Sequence, residues 1–141
     1  MRARSVEEDP LKTAVFFLDR SLGKRSVAGP LRAAGLHVEV HDDHFRQDAQ
    51  DEEWLPEVGR RRWLVVTRDD RIRYRRLEAA AVRGAKVGMF VVVSKNLTGP
   101  ETAQVILKAL NRIRRFIRAH RRPFVVKIYR DGSVQKLPFK P

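Results

Sequence analysis

The 141-residue chain contains no cysteine. A disulfide framework and a thiolate metal site are therefore excluded, and the composition suits the reducing cytoplasm, where we expect the protein to act. Long hydrophobic runs are also missing. The longest is "VGMFVVV" at residues 87–93, far short of the roughly 20 residues that span a membrane. The start, "MRARSVEEDPLK", lacks the apolar centre of a signal peptide, so we expect no membrane association.

Glycine is too sparse to form a phosphate-binding loop. Gly23, Gly29 and Gly35 match neither the GxGxxG pattern nor the P-loop pattern. We therefore expect no nucleotide cofactor. Ser21 and Ser26 have no evident His–Asp partners, which argues against acyl transfer through a serine nucleophile.

Acidic residues are scarce in the second half of the chain. Residues 71–141 carry 3 acids against 18 lysines and arginines, whereas residues 1–70 carry 14 acids and 12 bases. The whole chain has a net charge of +13. Such clustered charge points to a polyanionic partner, most often nucleic acid. A basic surface that only maintains solubility is the plain alternative.

What the sequence does contain is a regular alternation of short apolar runs and helical patterns. The apolar runs predict strands over 14–18, 36–40, 63–67 and 86–93. The helical patterns cover 22–35, 51–61, 71–84 and 98–122, and Asp131–Gly132 indicates a hairpin within 124–138. This order predicts an α/β three-layer sandwich with a mainly parallel sheet of about four strands in order 2-1-3-4, plus a C-terminal β-hairpin.

The same patterns predict three segments. Residues 1–11 are polar and read as a flexible arm, residues 12–122 form the α/β domain, and residues 123–141 form the hairpin extension.

Carboxylates follow two strands that the predicted topology makes neighbours. Asp19 stands at the carboxyl end of strand 1, and Asp69 stands just beyond strand 3. Ligands of open α/β sheets bind at this reversal of chain direction. Clustered carboxylates repel one another unless a cation joins them, and oxygen ligands suit Mg²⁺ or Mn²⁺. A third acid can come from Asp51, Glu52 or Glu53, at the start of the helix before strand 3.

Two alternatives stand beside this metal site. Asp69 or Asp70 can simply cap the helical segment that follows it. The motif "HDDH" at 41–44 spaces two histidines as zinc sites do, but no second ligand pair is evident, so we interpret it as a solvated loop.

Several blocks of the sequence resemble a known family. "FFLDRSLGK", "LRAAGLHVEVHDDHF", "DEEWLPEVGRRRWLVVTRDDRIR" and "RRLEAAAVRGAKVGMFVV" resemble, in this order and spacing, the compact PIN-like domains, and most closely the VapC-type toxins of toxin–antitoxin pairs. The similarity covers roughly residues 13–120.

The resemblance implies a Rossmann-like, PIN-like fold and a metal-dependent ribonuclease. It assigns Asp19, Asp51 and Asp69 as the catalytic, metal-binding acids, with Asp70 and Glu52 as auxiliary ligands and Glu53 as an alternative to Asp51. Strand 4 exits through "VVVSKNLTG", which has no acid at the position of the family's fourth one. The resemblance also implies a small antitoxin protein as partner; a homodimer is left open.

Basic residues flank the predicted site and form the predicted RNA surface. Arginine matches phosphate oxygens through its planar fork. The predicted RNA-binding residues are Arg20, Lys24, Arg68, Arg71, Arg73, Arg112 and Arg115, and the other arginines of the last helix, including Arg121 and Arg122, are expected around the same crevice.

The sequence therefore predicts an Mg²⁺- or Mn²⁺-dependent endoribonuclease that hydrolyses RNA phosphodiester bonds, as the toxin of a type II toxin–antitoxin pair. A non-catalytic nucleic-acid-binding module on the same fold is the alternative, and an adaptor for an acidic protein is a third hypothesis.

Overall fold

Six strands form a single sheet in order β2-β1-β3-β4-β5-β6. The computed structural model describes residues 9–68, 76–93 and 96–138, with only the backbone described for residues 76–79. Strands β1 to β5 are parallel, and β6 runs antiparallel to β5. The strands are β1 (Val15–Leu18), β2 (His37–Val40), β3 (Leu64–Thr67), β4 (Gly88–Val93), β5 (Phe124–Tyr129) and β6 (Val134–Leu137).

The predicted α/β class and the strand order 2-1-3-4 are confirmed, but the strand number is six rather than about four. The hairpin forms as predicted around Gly132, whose φ of 87° suits glycine. Its two strands continue the central sheet, because β5 pairs with β4 over the full length of both strands. We predicted a hairpin extension over 123–141, but its two strands, β5 and β6, are part of the central sheet.

Helices cover both faces of this sheet. They are α1 (Lys24–Ala33), α2 (Asp51–Arg60), α3 (Arg76–Ala85), α4 (Gly99–Lys108) and α5 (Leu110–Ala119), with short 3-10 helices at Pro10–Lys12 and His41–Asp43. Among the described residues, none of the helices has both the length and the hydropathy of a membrane span.

Alternating strand residues serve two separate hydrophobic cores. Phe16 and Leu18 point into the core formed with α1, α4 and α5, whereas Phe17 points into the core formed with α2 and α3. Burial on both faces explains why the central strands are continuous apolar runs. Every residue of β3 is fully buried. The three layers are therefore fixed by the two-residue period of the strands.

The single helix predicted over 98–122 is in fact two helices. They meet at Ala109, whose backbone angles (φ −88°, ψ −3°) depart from helical values. No glycine or proline marks this junction, so the sequence pattern gave no warning of it. The start is as expected: Thr98 Oγ1 accepts from the backbone N–H of Glu101, and Glu101 Oε1 accepts from that of Thr98.

The end of the predicted flexible arm is docked on the domain. Asp9 accepts two hydrogen bonds from Arg114 of α5, at 2.8 and 3.1 Å, and Leu11 is buried. The prediction over 1–11 is therefore wrong for these residues, because a charge pair and an apolar side chain anchor them; residues 1–8 lie outside the described residues.

Candidate functional site

The carboxyl ends of β1 and β3 lie side by side, as the switch-point prediction requires. Leu18 is in register with Val66, and the Asp19 N–H donates to the Val66 carbonyl at 3.1 Å. After β1 the chain crosses to α1 on one face of the sheet, and after β3 it continues to α3 on the other. A crevice at this edge is the usual ligand site of an open parallel sheet.

Asp19 places a nearly buried carboxylate in this crevice, with 8% of the residue exposed. Its Oδ1 accepts from the backbone N–H of Ser21 at 2.9 Å and also from the Ser21 hydroxyl. A buried carboxylate is costly without such donors. The two bonds therefore hold the acid in one orientation at the end of β1.

The hydroxyl of Ser21 joins the ends of the two central strands. Besides its bond to Asp19, it lies 3.2 Å from Thr67 Oγ1, and it accepts from the backbone N–H of Arg68 at 2.9 Å. Sequence reasoning missed both Ser21 and Thr67. The available signal was the Asp-x-Ser spacing after β1, typical of a turn in which an aspartate accepts from the residue two positions later.

Asp51 lies in the first turn of α2, whose amino end faces the same edge of the sheet. Strand alternation puts Asp19 on the side of Phe17, and the Phe17 ring packs 5.3 Å from that of Trp54 in α2. Of the three acids in this turn, Asp51 alone is half-buried. Glu52 is exposed.

Glu53, the other alternative to Asp51, is engaged in helix capping. Its Oε1 accepts from the backbone N–H of Gln50 at 2.9 Å, so this carboxylate already serves the start of α2. Asp51 is therefore the least exposed acid of this turn, and the choice among the three acids as a metal ligand stays a prediction.

The remaining predicted acids and two of the arginines, Asp69, Asp70, Arg71 and Arg73, lie outside the described residues. Within the ranges that the structure describes, no three His, Asp or Glu side chains converge closely enough to hold a metal ion. The described carboxylates, Asp19 and Asp51, are hard oxygen donors of the type that Mg²⁺ and Mn²⁺ prefer. In the assignment that the resemblance implies, Asp69 is the third ligand beside these two.

Several predicted RNA-binding residues border this edge. Arg20 is exposed next to Asp19, and Arg68 follows β3 directly. Lys24 forms a 2.7 Å ion pair with Asp43, and this hydrogen bond is the main cause that lowers the pKa of Asp43. Lys24 is therefore partly neutralised.

The remaining predicted contacts lie on α5. Arg112 donates to the Gly132 carbonyl at 3.4 Å, near the carboxyl end of β5, and Arg115 is exposed. Arg121 and Arg122, which we expected around the crevice, lie at the opposite edge of the sheet instead. They immediately precede β5, and a helix that connects parallel strands carries the chain from one edge of the sheet to the other.

The "HDDH" motif is exposed at Asp42, Asp43 and His44, as expected for a solvated loop, but His41 departs from this expectation. His41 is buried between Phe17, Phe45 and Trp54, and its Nδ1 lies 3.0 Å from Asp42 Oδ1. This bond is the main reason that the pKa of Asp42 is lowered. His41 packs on the aromatic core because it directly follows Val40, the last residue of β2.

The second histidine of the motif has a different partner. His44 Nε2 lies 2.6 Å from Glu39 Oε1. The two histidines are thus held by separate carboxylates, and the arrangement offers no sign of a shared zinc ion.

One family model matches the chain. Its description is "PIN like domain", and the match covers residues 14–94, which is more than half of the 141 residues and runs from the start of β1 to the end of β4. It includes Asp19, Ser21, Asp51 and Thr67. No curated protein and no solved structure matches the chain. By its sequence and its mainly parallel sheet, the chain belongs to the PIN-like domain family, whose members are in general nucleases.

Proposed function

We propose that the protein is an Mg²⁺- or Mn²⁺-dependent endoribonuclease that hydrolyses RNA phosphodiester bonds. The observation that carries this proposal is Asp19, a nearly buried and oriented carboxylate at the switch point of a PIN-like sheet. Asp19, Asp51 and Asp69 hold the metal in this proposal, with Asp70 and Glu52 as auxiliary ligands. A divalent ion at such a site lowers the pKa of a bound water and offsets charge on the phosphodiester.

The protein's own groups orient the site and bind the substrate. Ser21 fixes the Asp19 carboxylate, so the ligand needs little rearrangement to act. Arg20 and Arg68 flank the crevice and are proposed to contact phosphates, together with Lys24, Arg71, Arg73, Arg112 and Arg115. The positive second half of the chain favours the approach of a polyanion.

The biological role that we propose is that of a cytoplasmic toxin. The resemblance of the "LDRSLG" and "TRDDRIR" blocks to VapC-type toxins supports it. The partner would be a small antitoxin protein. If a small reading frame lies beside this gene, its co-expression should restore growth that expression of this chain alone arrests. Growth arrest that the neighbouring frame never relieves would contradict this role while leaving the nuclease proposal intact.

The nuclease proposal predicts that Asp19→Asn abolishes Mn²⁺-dependent cleavage of a fluorophore- and quencher-labelled RNA. We expect the cleavage rate to fall by at least about 100-fold, since removing a group that merely supports a metal ligand already lowers metal affinity or activity 10–100-fold. The matched control is Asp48→Asn, which removes an exposed carboxylate that pairs with exposed Arg46. Circular dichroism and the melting temperature verify that both variants fold.

Full cleavage by the Asp19→Asn variant, or by the unmodified protein in excess EDTA, would overturn the proposal. RNA binding without any metal-dependent cleavage by the unmodified protein would instead establish the alternative, a non-catalytic nucleic-acid-binding module.

A further inference from the structure

A groove opens at the amino ends of β3, β4 and β5, on the edge of the sheet opposite to Asp19. The cavity has a volume of about 820 Å³. We call it the basal groove and define it by four cations, Arg62, Lys86, Arg121 and Arg122, and two apolar residues, Ile117 and Phe124. Six residues of extended chain separate Arg62 from Arg68, so the groove lies about 20 Å from the candidate metal site.

Most of the positive charge of the basal groove is not balanced by nearby acids. A fifth cation that lines the groove, Arg60, is paired with Glu57, which also pairs with Arg61. In the described part of the chain, no carboxylate forms an ion pair with any of the four cations of the groove. The groove therefore presents net positive charge to solvent.

Arg122 is the most constrained of these cations. It is half-buried, and its Nη1 donates to the backbone carbonyl of Arg62 at 2.9 Å rather than to a carboxylate. Burial and then repulsion from the Arg62 guanidinium lower its pKa. An anion in the groove would stabilise the buried charge of Arg122 and offset its repulsion from Arg62.

Two of the cations stand where glycine is favoured. Arg62 and Lys86 follow the ends of α2 and α3 with left-handed backbones, at φ values of 59° and 57°. Helices commonly end with glycine in this conformation, because other residues are strained there. At both positions the chain carries a basic residue with a strained backbone, and both residues line the groove.

A simpler explanation is that these cations offset the dipoles of the three helices that end beside the groove, α2, α3 and α5. That explanation accounts for Lys86 and Arg62 at the ends of α3 and α2. It does not account for the half-buried position of Arg122 beside Arg62, or for the apolar lining between the cations.

We propose that the basal groove binds the backbone of a single-stranded RNA segment outside the candidate metal site. Three of its four cations are arginines, whose planar fork matches phosphate oxygens. The apolar lining from Ile117 can accommodate a sugar or base, which is the usual combination in sites for single strands. The identity of the ligand rests on the proposed function, in which RNA is the substrate, and the groove would hold part of an RNA that extends beyond the metal site.

The left-handed positions allow a test that spares the fold. The double substitution Arg62→Gly and Lys86→Gly removes two cations and places glycine where the backbone favours it, so the melting temperature should not fall. The control, Lys12→Ala with Lys136→Ala, removes two exposed cations that do not line the groove. Both pairs are made in the Asp19→Asn background so that the probe, a fluorescein-labelled 24-nucleotide oligouridylate, stays intact.

Fluorescence anisotropy should show a rise in Kd of about tenfold for the glycine variant at 100 mM salt, and a change below about twofold for the control. The slope of log Kd against log salt should fall by about 1.4, as expected for two lost contacts to a single strand. Equal affinities for the two variants would overturn the proposal, whether or not the protein cleaves RNA. Loss of binding to a polyglutamate peptide with unchanged RNA binding would also overturn it and would identify a protein-docking site.

Discussion

At the scale of single residues, Ser21 links the two halves of the candidate site through one hydroxyl group. That hydroxyl contacts the Asp19 carboxylate, lies 3.2 Å from Thr67 Oγ1 and accepts from the Arg68 N–H. Residues separated by 46 positions are thereby joined. Ser21 is a positioning residue in our proposal, because it orients Asp19 without contacting the reacting phosphodiester.

We therefore predict that Ser21→Ala lowers kcat for RNA cleavage by about tenfold with little change in KM. The reason is that removing a hydrogen bond that supports a metal ligand typically lowers metal affinity or activity 10–100-fold. Steady-state kinetics over a Mn²⁺ titration measure this, and the half-saturating metal concentration should rise as well.

The matched control for this experiment is Ser26→Ala, which removes a serine hydroxyl group from a half-buried position in α1. Ser21→Thr keeps a hydroxyl and should recover most of the activity. If Ser21→Ala and Ser26→Ala reduce activity equally, the effect is not specific to the link with Asp19.

At the scale of elements, α2 and α3 approach each other closely at Gly59. A Cβ atom at this position would meet the Ala85 carbonyl oxygen and the Ala85 Cβ, which are parts of the facing helix. The absence of a side chain on Gly59 thus sets how near α3 can pack to α2, and so how the layer over the Phe17 face of the sheet closes.

The close approach predicts that Gly59→Ala destabilises the protein by about 1–3 kcal/mol, because backbone atoms must move to admit the methyl group. Urea denaturation followed by circular dichroism measures this. Gly84→Ala is the control: Gly84 lies near the end of α3, and among the described residues no atom outside its own helix lies within 4 Å of its Cβ position. This change should therefore stabilise the protein by up to about 1 kcal/mol. Stabilisation by both substitutions would show that the helices separate without cost.

Element types were predictable to the extent that their signals are local. The continuous run of β3 marks a strand buried on both faces, and Gly35, at φ 94°, follows α1 as its C-terminal signal indicates. The junction at Ala109 was not predictable, because the apolar face from Ile106 to Ile113 continues across it. The burial of His41 was missed for a related reason: a polar motif gives no sign of the aromatic rings that cover it.

At the scale of the whole molecule, one ion pair fastens the start of the described chain to the domain. Asp9 and Arg114 are 105 positions apart, and each side chain is less than one-third exposed. The Arg114 hydrogen bond, followed by that from the Leu11 N–H, lowers the pKa of Asp9. The folded state therefore favours the charged carboxylate, and this stabilisation exists only while Asp9 is ionised.

The sign of the pH dependence follows from this lowered pKa. The contribution of Asp9 is complete above the unfolded-state pKa of about 3.9 and is lost as the pH falls through the lower, folded-state value. Asp9→Asn should therefore reduce the free energy of unfolding at pH 7, and the difference from the unmodified protein should shrink below about pH 4.

Urea denaturation between pH 2.5 and pH 7 measures this difference. Asp48→Asn, in an exposed pair with Arg46, serves as the control and should change stability little at any pH. A difference between the unmodified protein and Asp9→Asn that stays constant down to pH 2.5 would mean that packing, and not charge, is responsible.

The sequence by itself determined the order of strands and helices, the mainly parallel sheet and the place of Asp19 at a strand end. These follow from local periodicity and from the rule that parallel strands bring their carboxyl ends to one edge. The tertiary structure alone decided that the Ser21 hydroxyl joins Thr67 and that Arg121 and Arg122 face away from Asp19. Such relations depend on distances between residues 46 or 60 positions apart, which no local pattern records.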